Sequence, residues 1–138
     1  MELKELVILV KGGGEMATGV AHRLARSGFR VCLTEIPNPL TIRREVSFSG
    51  AVFEGQKEVE GILAERVSGV EEIYRCWKEG KVAAVIDPDC CIREALNPDV
   101  VVDAILAKKN TGTQIGDAPL AIGLGPGFYA GKDVHLVI

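Results

Sequence analysis

The residues with the clearest chemical signature lie in a glycine-rich segment near the start of the chain. Gly12, Gly14 and Ala17 fill the three small-residue positions of a G-x-G-x-x-A pattern, directly after an apolar run and directly before a helical pattern. In nucleotide-binding folds the first glycine permits a tight turn, the second lets a pyrophosphate approach the backbone, and the third position keeps the helix close to the sheet. The N–H groups of the helix start then bind anionic oxygen. The segment predicts a phosphate-binding loop, and its candidate residues are Gly12, Gly13, Gly14, Glu15, Ala17 and Thr18.

An acidic residue further along the chain strengthens this prediction. Glu35 follows the next apolar run, about 20 residues after the first glycine, where an acid can accept the hydroxyls of an adenosine ribose. A carboxylate there also repels a 2′-phosphate, so the pattern favours an NAD-like ligand over an NADP-like one. It does not separate a dinucleotide from a mononucleotide, a flavin nucleotide or S-adenosylmethionine. A glycine-rich turn that holds no ligand is the structural alternative.

A second glycine-rich segment spans residues 123–135 and also follows an apolar run. Its glycines indicate positive φ angles or a close approach by a ligand or another backbone. Gly125, Gly127, Lys132 and Asp133 are candidate cofactor-binding residues, with Lys132 neutralising phosphate, and His135 is a candidate acid or base. The alternative is a hairpin or crossover loop with solvated polar groups.

Further polar residues follow the predicted strands or lie in a basic turn. In a parallel sheet the ligand crevice lies outside the carboxyl ends of the strands, so Asp87, Asp103, Lys108 and Lys109 can converge on one site with Glu35. Asn110, directly after the two lysines, is a further candidate cofactor-binding residue. Arg43 and Arg44 either bind an anion or belong to a solvated turn. Any one of these residues is as readily a helix cap or a surface charge. The four cysteines, including the adjacent Cys90 and Cys91, lack zinc-ligand spacing, so reduced thiols and no metal site are expected.

The positions of these residues require alternating strands and helices. Unbroken apolar runs predict strands at 6–11, 29–34, 82–86, 100–102, 120–124 and 134–138, and periodic segments predict helices at 16–27, 68–79 and 92–96. Alternation of apolar and polar residues over 46–67 predicts short strands or a hairpin. The sequence thus predicts an α/β, Rossmann-like fold with a largely parallel sheet and a small β insertion. Residues 1–138 are expected to form one domain, either a whole protein or the N-terminal part of a longer one.

The composition limits the classes of partner. The 138 residues are 47% hydrophobic, with 16 Lys and Arg against 19 Asp and Glu, a net charge of −3. This balance lacks the basic field that holds a phosphodiester backbone, so nucleic acid is not expected as a partner. No apolar run reaches the roughly 18 residues of a membrane span, and the short N-terminal run does not suit a signal peptide. A cytoplasmic location without membrane contact is therefore expected.

Four segments together resemble the accessory proteins of selenium-dependent molybdenum hydroxylases: residues 11–24, 29–55, 100–113 and 118–135. The resemblance implies a role in maturing xanthine-dehydrogenase-like enzymes, around the molybdenum cofactor or its selenium or sulfur ligand. It implies a molybdenum hydroxylase as client protein and no established catalytic residue. The family positions matched here are Gly12, Gly13, Gly14, Arg43, Arg44, Lys108, Asn110 and the segment 123–135.

The expected function is therefore that of a nucleotide- or cofactor-binding accessory protein. The ligand is an NAD-like dinucleotide or a molybdopterin-type cofactor, because both carry phosphate. One alternative is an NAD-dependent oxidoreductase, for which His135 is the candidate proton-transfer group. Another is a non-catalytic scaffold that docks the hydroxylase through the β insertion. The apolar segment 134–138 would form an edge strand, so pairing with a second copy or with a further part of the protein is expected.

Overall fold

The structure, a computed structural model, describes residues 5–39, 46–107 and 109–138. The strands of the described residues are β1 (Val7–Lys11), β2 (Arg30–Glu35), β3 (Gln56–Val59), β4 (Ile62–Val67), β5 (Val82–Ile86), β6 (Val100–Asp103), β7 (Leu120–Gly123) and β8 (Leu136–Val137). The α-helices are α1 (Glu15–Arg26), α2 (Gly50–Glu54), α3 (Val70–Lys78) and α4 (Ile92–Leu96), and a 3₁₀ turn spans Ile115–Asp117. Within these ranges no helix combines the length and the apolar character needed to cross a bilayer.

All eight strands belong to one sheet, in the order β3-β4-β5-β2-β1-β6-β7-β8. Every neighbouring pair is parallel except the β3–β4 hairpin. The chain builds β2 and β5 on one side of β1 and then crosses to β6 on the other side. Because such a reversal leaves a crevice at the carboxyl ends of the strands, the expected ligand site lies beyond Lys11 and Asp103. The α/β prediction with a largely parallel sheet is confirmed.

Each face of the sheet is covered by helices, which explains why the central strands are apolar throughout. On one face, Val10, Leu33 and Ala84 pack with Ala17 and Ala21 of α1. On the other face, Leu9, Cys32 and Ala83 pack with Ile73 and Cys76 of α3. Successive residues of a strand point into these two cores in turn. A strand that is buried on both faces therefore lacks the alternation of apolar and polar residues.

The segment 46–67 differs in part from its prediction. Residues 56–67 form the expected hairpin, and its two turn residues, Glu60 and Gly61, both have positive φ, as a tight hairpin turn requires. Gly50–Glu54 is a helix rather than a strand, so the prediction was wrong there. A five-residue helix completes little more than one turn, so its apolar period cannot be recognised in the sequence. The hairpin is also not a separate insertion, because β4 pairs in parallel with β5 and extends the main sheet.

Candidate functional site

The first glycine segment forms a tight loop between β1 and α1. Gly12 has φ of +105°, and a Cβ there would lie 3.2 Å from the carbonyl oxygen of Ala104, so both the turn and the packing require glycine. Gly13 is buried, and its carbonyl accepts hydrogen bonds from the Ser49 backbone N at 2.8 Å and the Ser49 hydroxyl at 2.6 Å. In the described part of the chain, no atom lies within 4 Å of a Cβ built on Gly14. Contacts within the protein therefore explain the glycines at 12 and 13, whereas the described residues leave room beside Gly14.

The start of α1 follows directly from this loop, with Gly14 as its N-cap residue. Among the residues that the structure describes, no side chain makes a capping hydrogen bond to this helix start. Ala17 and Thr18 are buried behind the loop, and the Thr18 hydroxyl donates to the Gly13 carbonyl at 3.2 Å and accepts from the Phe48 backbone N at 2.9 Å. Three residues that were predicted to bind a cofactor are therefore buried and stabilise the loop from the protein interior. They are Gly13, Ala17 and Thr18. Gly12, Gly14 and Glu15 line a cavity in front of it.

Glu35 links the end of β2 to the glycine loop. Its Oε1 accepts a hydrogen bond from the Gly13 backbone N at 2.7 Å, and its Oε2 accepts one from its neighbour Ile36 N at 2.9 Å. The sequence predicted that the loop amides are open to a ligand, and this is wrong for the Gly13 amide, which a protein carboxylate already satisfies. Of the amides predicted to bind an anion, those of Gly14 and the first turn of α1 remain as candidates. Glu35 is half-buried and lines the cavity, and each carboxylate oxygen has a further lone pair for a ligand hydroxyl.

The cavity lies at the carboxyl ends of β1, β2, β5 and β6 and has a volume of about 430 Å³. This lies within the range of about 300–1,000 Å³ that small-molecule sites occupy. Its walls combine the glycine loop with Glu35 and Asp87, two of the residues predicted to converge, whereas Asp103 and Lys109 do not line it. Part of its lining is formed by large apolar side chains that are exposed to solvent, namely Met16, Ile36, Ile105 and Leu106. Because folded proteins usually bury such side chains, their grouping at one cavity favours an apolar ligand surface there.

A buried polar chain forms the floor of the site. Lys11 is 8% exposed, and its Nζ donates a hydrogen bond to the Thr113 hydroxyl at 2.8 Å. That hydroxyl in turn donates to Asp103 Oδ2 at 2.7 Å. Asp103 and Thr113 are each 2% exposed. The Thr113 hydroxyl therefore links the Lys11 ammonium to the Asp103 carboxylate by hydrogen bonds that are shielded from solvent.

Two non-glycine residues of the cavity wall have left-handed backbones. Cys90 has φ of +54° and Leu106 has φ of +62°. Each such residue costs about 1–2 kcal/mol, and such strain concentrates at ligand sites. Burial raises the pKa of the Cys90 thiol, although the Lys11 ammonium acts in the opposite direction. The Asp87 carboxylate raises the pKa of the exposed Cys91 thiol. All four cysteines are free thiols, as expected.

The second glycine segment lies outside this cavity. Gly125 and Gly127 have the predicted positive φ angles, and they meet the protein itself: a Cβ on Gly127 would lie 2.8 Å from Lys109 Cα. Lys132 is exposed, with its Nζ 5.5 Å from the centre of the Tyr129 ring, and Asp133 accepts a hydrogen bond from the Tyr129 backbone N. The His135 Nδ1 accepts from the Ala121 backbone N at 2.9 Å, so the candidate proton donor of the oxidoreductase alternative is bound to β7 rather than beside the cavity.

The remaining predicted residues have separate positions. Asn110 Oδ1 accepts hydrogen bonds from the backbone N atoms of Gly112 and Thr113, so it shapes the loop that carries Thr113. Arg43, Arg44 and Lys108 lie outside the described residues. Asp87 accepts hydrogen bonds from the backbone N atoms of Cys91 and Ile92 and so holds the start of α4, in addition to lining the cavity.

Sequence reasoning missed Lys11 and Thr113, together with the apolar side chains at the cavity. A signal for Lys11 was present, because it ends a strand that neighbours bury on both sides, and a charge at such a position needs a partner. No sequence pattern pointed to Thr113, because its contact with Lys11 joins residues that are 102 positions apart in the chain. Ile36, Ile105 and Leu106 resemble ordinary core residues in sequence, and only the structure shows that they are exposed.

Comparison with known proteins adds one relative. Over 132 residues the chain is 44% identical to a protein of Escherichia coli strain K12 described as uncharacterized protein YqeB. The match covers 96% of this chain and 24% of YqeB, so the chain spans about a quarter of the length of the curated relative it matches. No protein-family model matches the chain. No solved structure matches it.

Proposed function

We propose that this chain forms a Rossmann-like domain that binds a nucleotide-containing cofactor, either an NAD-like dinucleotide or a molybdopterin-type cofactor. The observation that carries the proposal is the cavity of about 430 Å³, which brings together Gly14 at the start of α1, Glu35 and a set of exposed apolar side chains. These three features suit the three parts of a nucleotide, which are phosphate, ribose and base.

The strand order supports the Rossmann-like part of the proposal. Without the β3–β4 hairpin, the order is β5-β2-β1-β6-β7-β8. This corresponds to the order 3-2-1-4-5-6 of dinucleotide-binding folds, in which the ligand lies where the order reverses. The cavity lies at that reversal, between the ends of β1 and β6 and next to the end of β2.

The chemistry of the cavity walls suits such a ligand. The first-turn N–H groups of α1 and the partial positive charge of the helix N-terminus would hold a phosphate, and the absence of a side chain at Gly14 leaves room for it. Glu35 would accept a ribose hydroxyl while it keeps its hydrogen bond from Gly13. Ile36 and Leu106 would contact the faces of an aromatic base.

We further propose that the domain acts in the maturation of a selenium-dependent molybdenum hydroxylase, with that hydroxylase as its client. This step is supported by the resemblance of residues 11–24, 29–55, 100–113 and 118–135 to the accessory proteins of those enzymes. The phosphate site described above would serve a pterin cofactor as well as a nicotinamide one, because both present phosphate oxygens.

The direct test combines ligand identification with substitution of Gly14. Mass spectrometry of the small molecule released by heating the purified protein is expected to show a nucleotide or a pterin dinucleotide. In Gly14→Asp the carboxylate would cap the first turn of α1 and repel phosphate, so we expect NAD+ affinity measured by calorimetry to fall by at least about tenfold. The fold should persist, because φ at Gly14 is −72° and a side chain there meets open space.

The matched control is Gly14→Ala, which adds a Cβ without charge. Its thermal unfolding should equal that of the parent, and its loss of affinity should be smaller than that of Gly14→Asp. Unchanged affinity of Gly14→Asp for NAD+ and for any released molecule would show that phosphate does not bind at this helix start.

A further inference from the structure

A second cavity of about 370 Å³ adjoins the first one. The two cavities share wall residues, which are Lys11, Asp89, Cys90 and Gly112. Arg93 of α4, Gln114 and Asp117 line the second cavity and not the first. A ligand in the first cavity and a ligand in the second would therefore lie side by side, with Lys11 between them.

Lys11 presents more hydrogen-bond donors than the protein uses. An ammonium has three N–H donors, and in the described part of the chain its Nζ makes one hydrogen bond, to Thr113. The nearest carboxylate oxygen, Asp117 Oδ2, is 3.9 Å away, which is beyond hydrogen-bond distance. Buried donors in native proteins usually have partners, so two N–H groups of a lysine that lines both cavities are suited to a ligand acceptor.

Arg93 supplies a second cation to the same cavity, next to the carboxylate of Asp117. Its Nε lies 3.6 Å from Asp117 Oδ1, and its Nη1 donates to the Asp117 backbone oxygen at 3.2 Å. Asp117 thus orients both cations and compensates part of their charge. The other acidic residues of this cavity, Asp89 and Glu94, are exposed to solvent, so their charges are screened more than those of Lys11 and Asp117.

We propose that the second cavity binds a small organic carboxylate, held between Lys11 and Arg93 and adjacent to the nucleotide. A planar carboxylate matches the guanidinium plane of Arg93, and its second oxygen can accept from the Lys11 ammonium. This ligand is separate from the proposed nucleotide, and the second cavity has walls of its own. The Asp103–Thr113 pair positions Lys11 for the contact, because it fixes one of the three donors.

The test uses oxalate as the probe and NMR as the readout. Titration of oxalate into the isotope-labelled chain is expected to shift the backbone amide signals of Cys90, Gly112 and Gln114. Lys11→Met and Arg93→Gln should each weaken oxalate binding by at least about tenfold, since each removes a charge-assisted hydrogen bond. Arg93 is partly exposed on a short helix, so Arg93→Gln keeps the test valid if Lys11→Met does not fold.

Two controls separate this inference from nucleotide binding. Lys78→Met and Arg23→Gln remove exposed charges elsewhere and should leave oxalate binding unchanged. NAD+ affinity should change by less than about threefold in Arg93→Gln. If oxalate shifts none of the three amides, or if inorganic phosphate competes with it equally well, the inference is wrong. If oxalate binds as expected while NAD+ does not bind at all, the proposed nucleotide site fails and the carboxylate site stands.

Discussion

At the scale of single residues, Glu35 has two functions that a sequence motif does not separate. Its carboxylate holds the glycine loop through the Gly13 amide, and it also lines the cavity where a ribose would lie. A single side chain thus holds the loop and lines the cavity, and under the proposed function it would also contribute to the choice of ligand. Glutamate reaches the loop from the end of β2, because β1 and β2 are paired in register so that Lys11 lies opposite Thr34.

This double role predicts a change of ligand preference in Glu35→Gln. The amide oxygen can still accept from Gly13, but the negative charge that repels a 2′-phosphate is removed. We expect the ratio of NAD+ to NADP+ affinity, measured by calorimetry, to fall by about tenfold. Glu71→Gln, an exposed change on α3, is the matched control. An unchanged ratio would show that Glu35 serves the loop alone.

At the scale of elements, the second glycine segment supports the site without lining it. Gly127 packs against the backbone of Lys109 and Asn110, and Asn110 organises the turn that leads to Thr113. Thr113 then contacts Lys11 at the end of β1. The segment 123–135 therefore contacts the loop after β6, which carries Thr113, without itself lining the cavity.

Gly127→Ala should show the cost of disturbing this packing. Its Cβ would approach Lys109 Cα to 2.8 Å at a φ of +98°, so we expect a destabilisation of about 2–3 kcal/mol in urea unfolding. Gly131→Ala is the control, because it has a φ of +83° but nothing within 4 Å of the added Cβ. That variant should lose only about 1 kcal/mol. Equal losses in both variants would mean that backbone strain alone is responsible and that the contact with Lys109 is unimportant.

At the scale of the whole molecule, the two edges of the sheet are different. The β3 edge carries polar residues, Gln56, Lys57 and Glu58, which discourage pairing with another strand. The β8 edge exposes Leu136, Val137 and Ile138. Self-association through this second edge stays a prediction. The layers between the edges are joined by an ion network of Glu65 on β4, Arg75 on α3 and Lys81 before β5.

This network predicts a small acid-dependent contribution to global stability. Hydrogen bonds from Arg75 and Lys81 lower the pKa of Glu65 below its ordinary value of 4.5. A lowered folded-state pKa means that the contribution is present above about pH 4.5 and is lost as the pH falls through the folded-state pKa. Thermal unfolding should therefore show that Glu65→Gln is less stable than the parent at pH 7 and equal to it well below that pKa. Because the network lies at the protein surface, with Arg75 exposed and Lys81 half-buried, the difference should be small and should shrink at high salt. A deficit that is the same at every pH would show that ionisation of Glu65 is irrelevant.

The sequence by itself determined the parts of this protein that depend on local pattern. Apolar runs located β1, β2, β5, β6 and β7 to within about two residues, because strands buried on both faces leave a continuous signal. The glycine at position 12 was explained correctly by its turn, since positive φ is a local requirement. The tertiary structure decided the rest, because those features depend on pairing between distant segments. In the tertiary structure the Gly13 amide donates a hydrogen bond to Glu35, and the Lys11 ammonium donates one to Thr113. Lys132 and His135 do not line the cavity. The local pattern of apolar and polar residues does not specify which side chain a loop contacts once distant strands pair with β1.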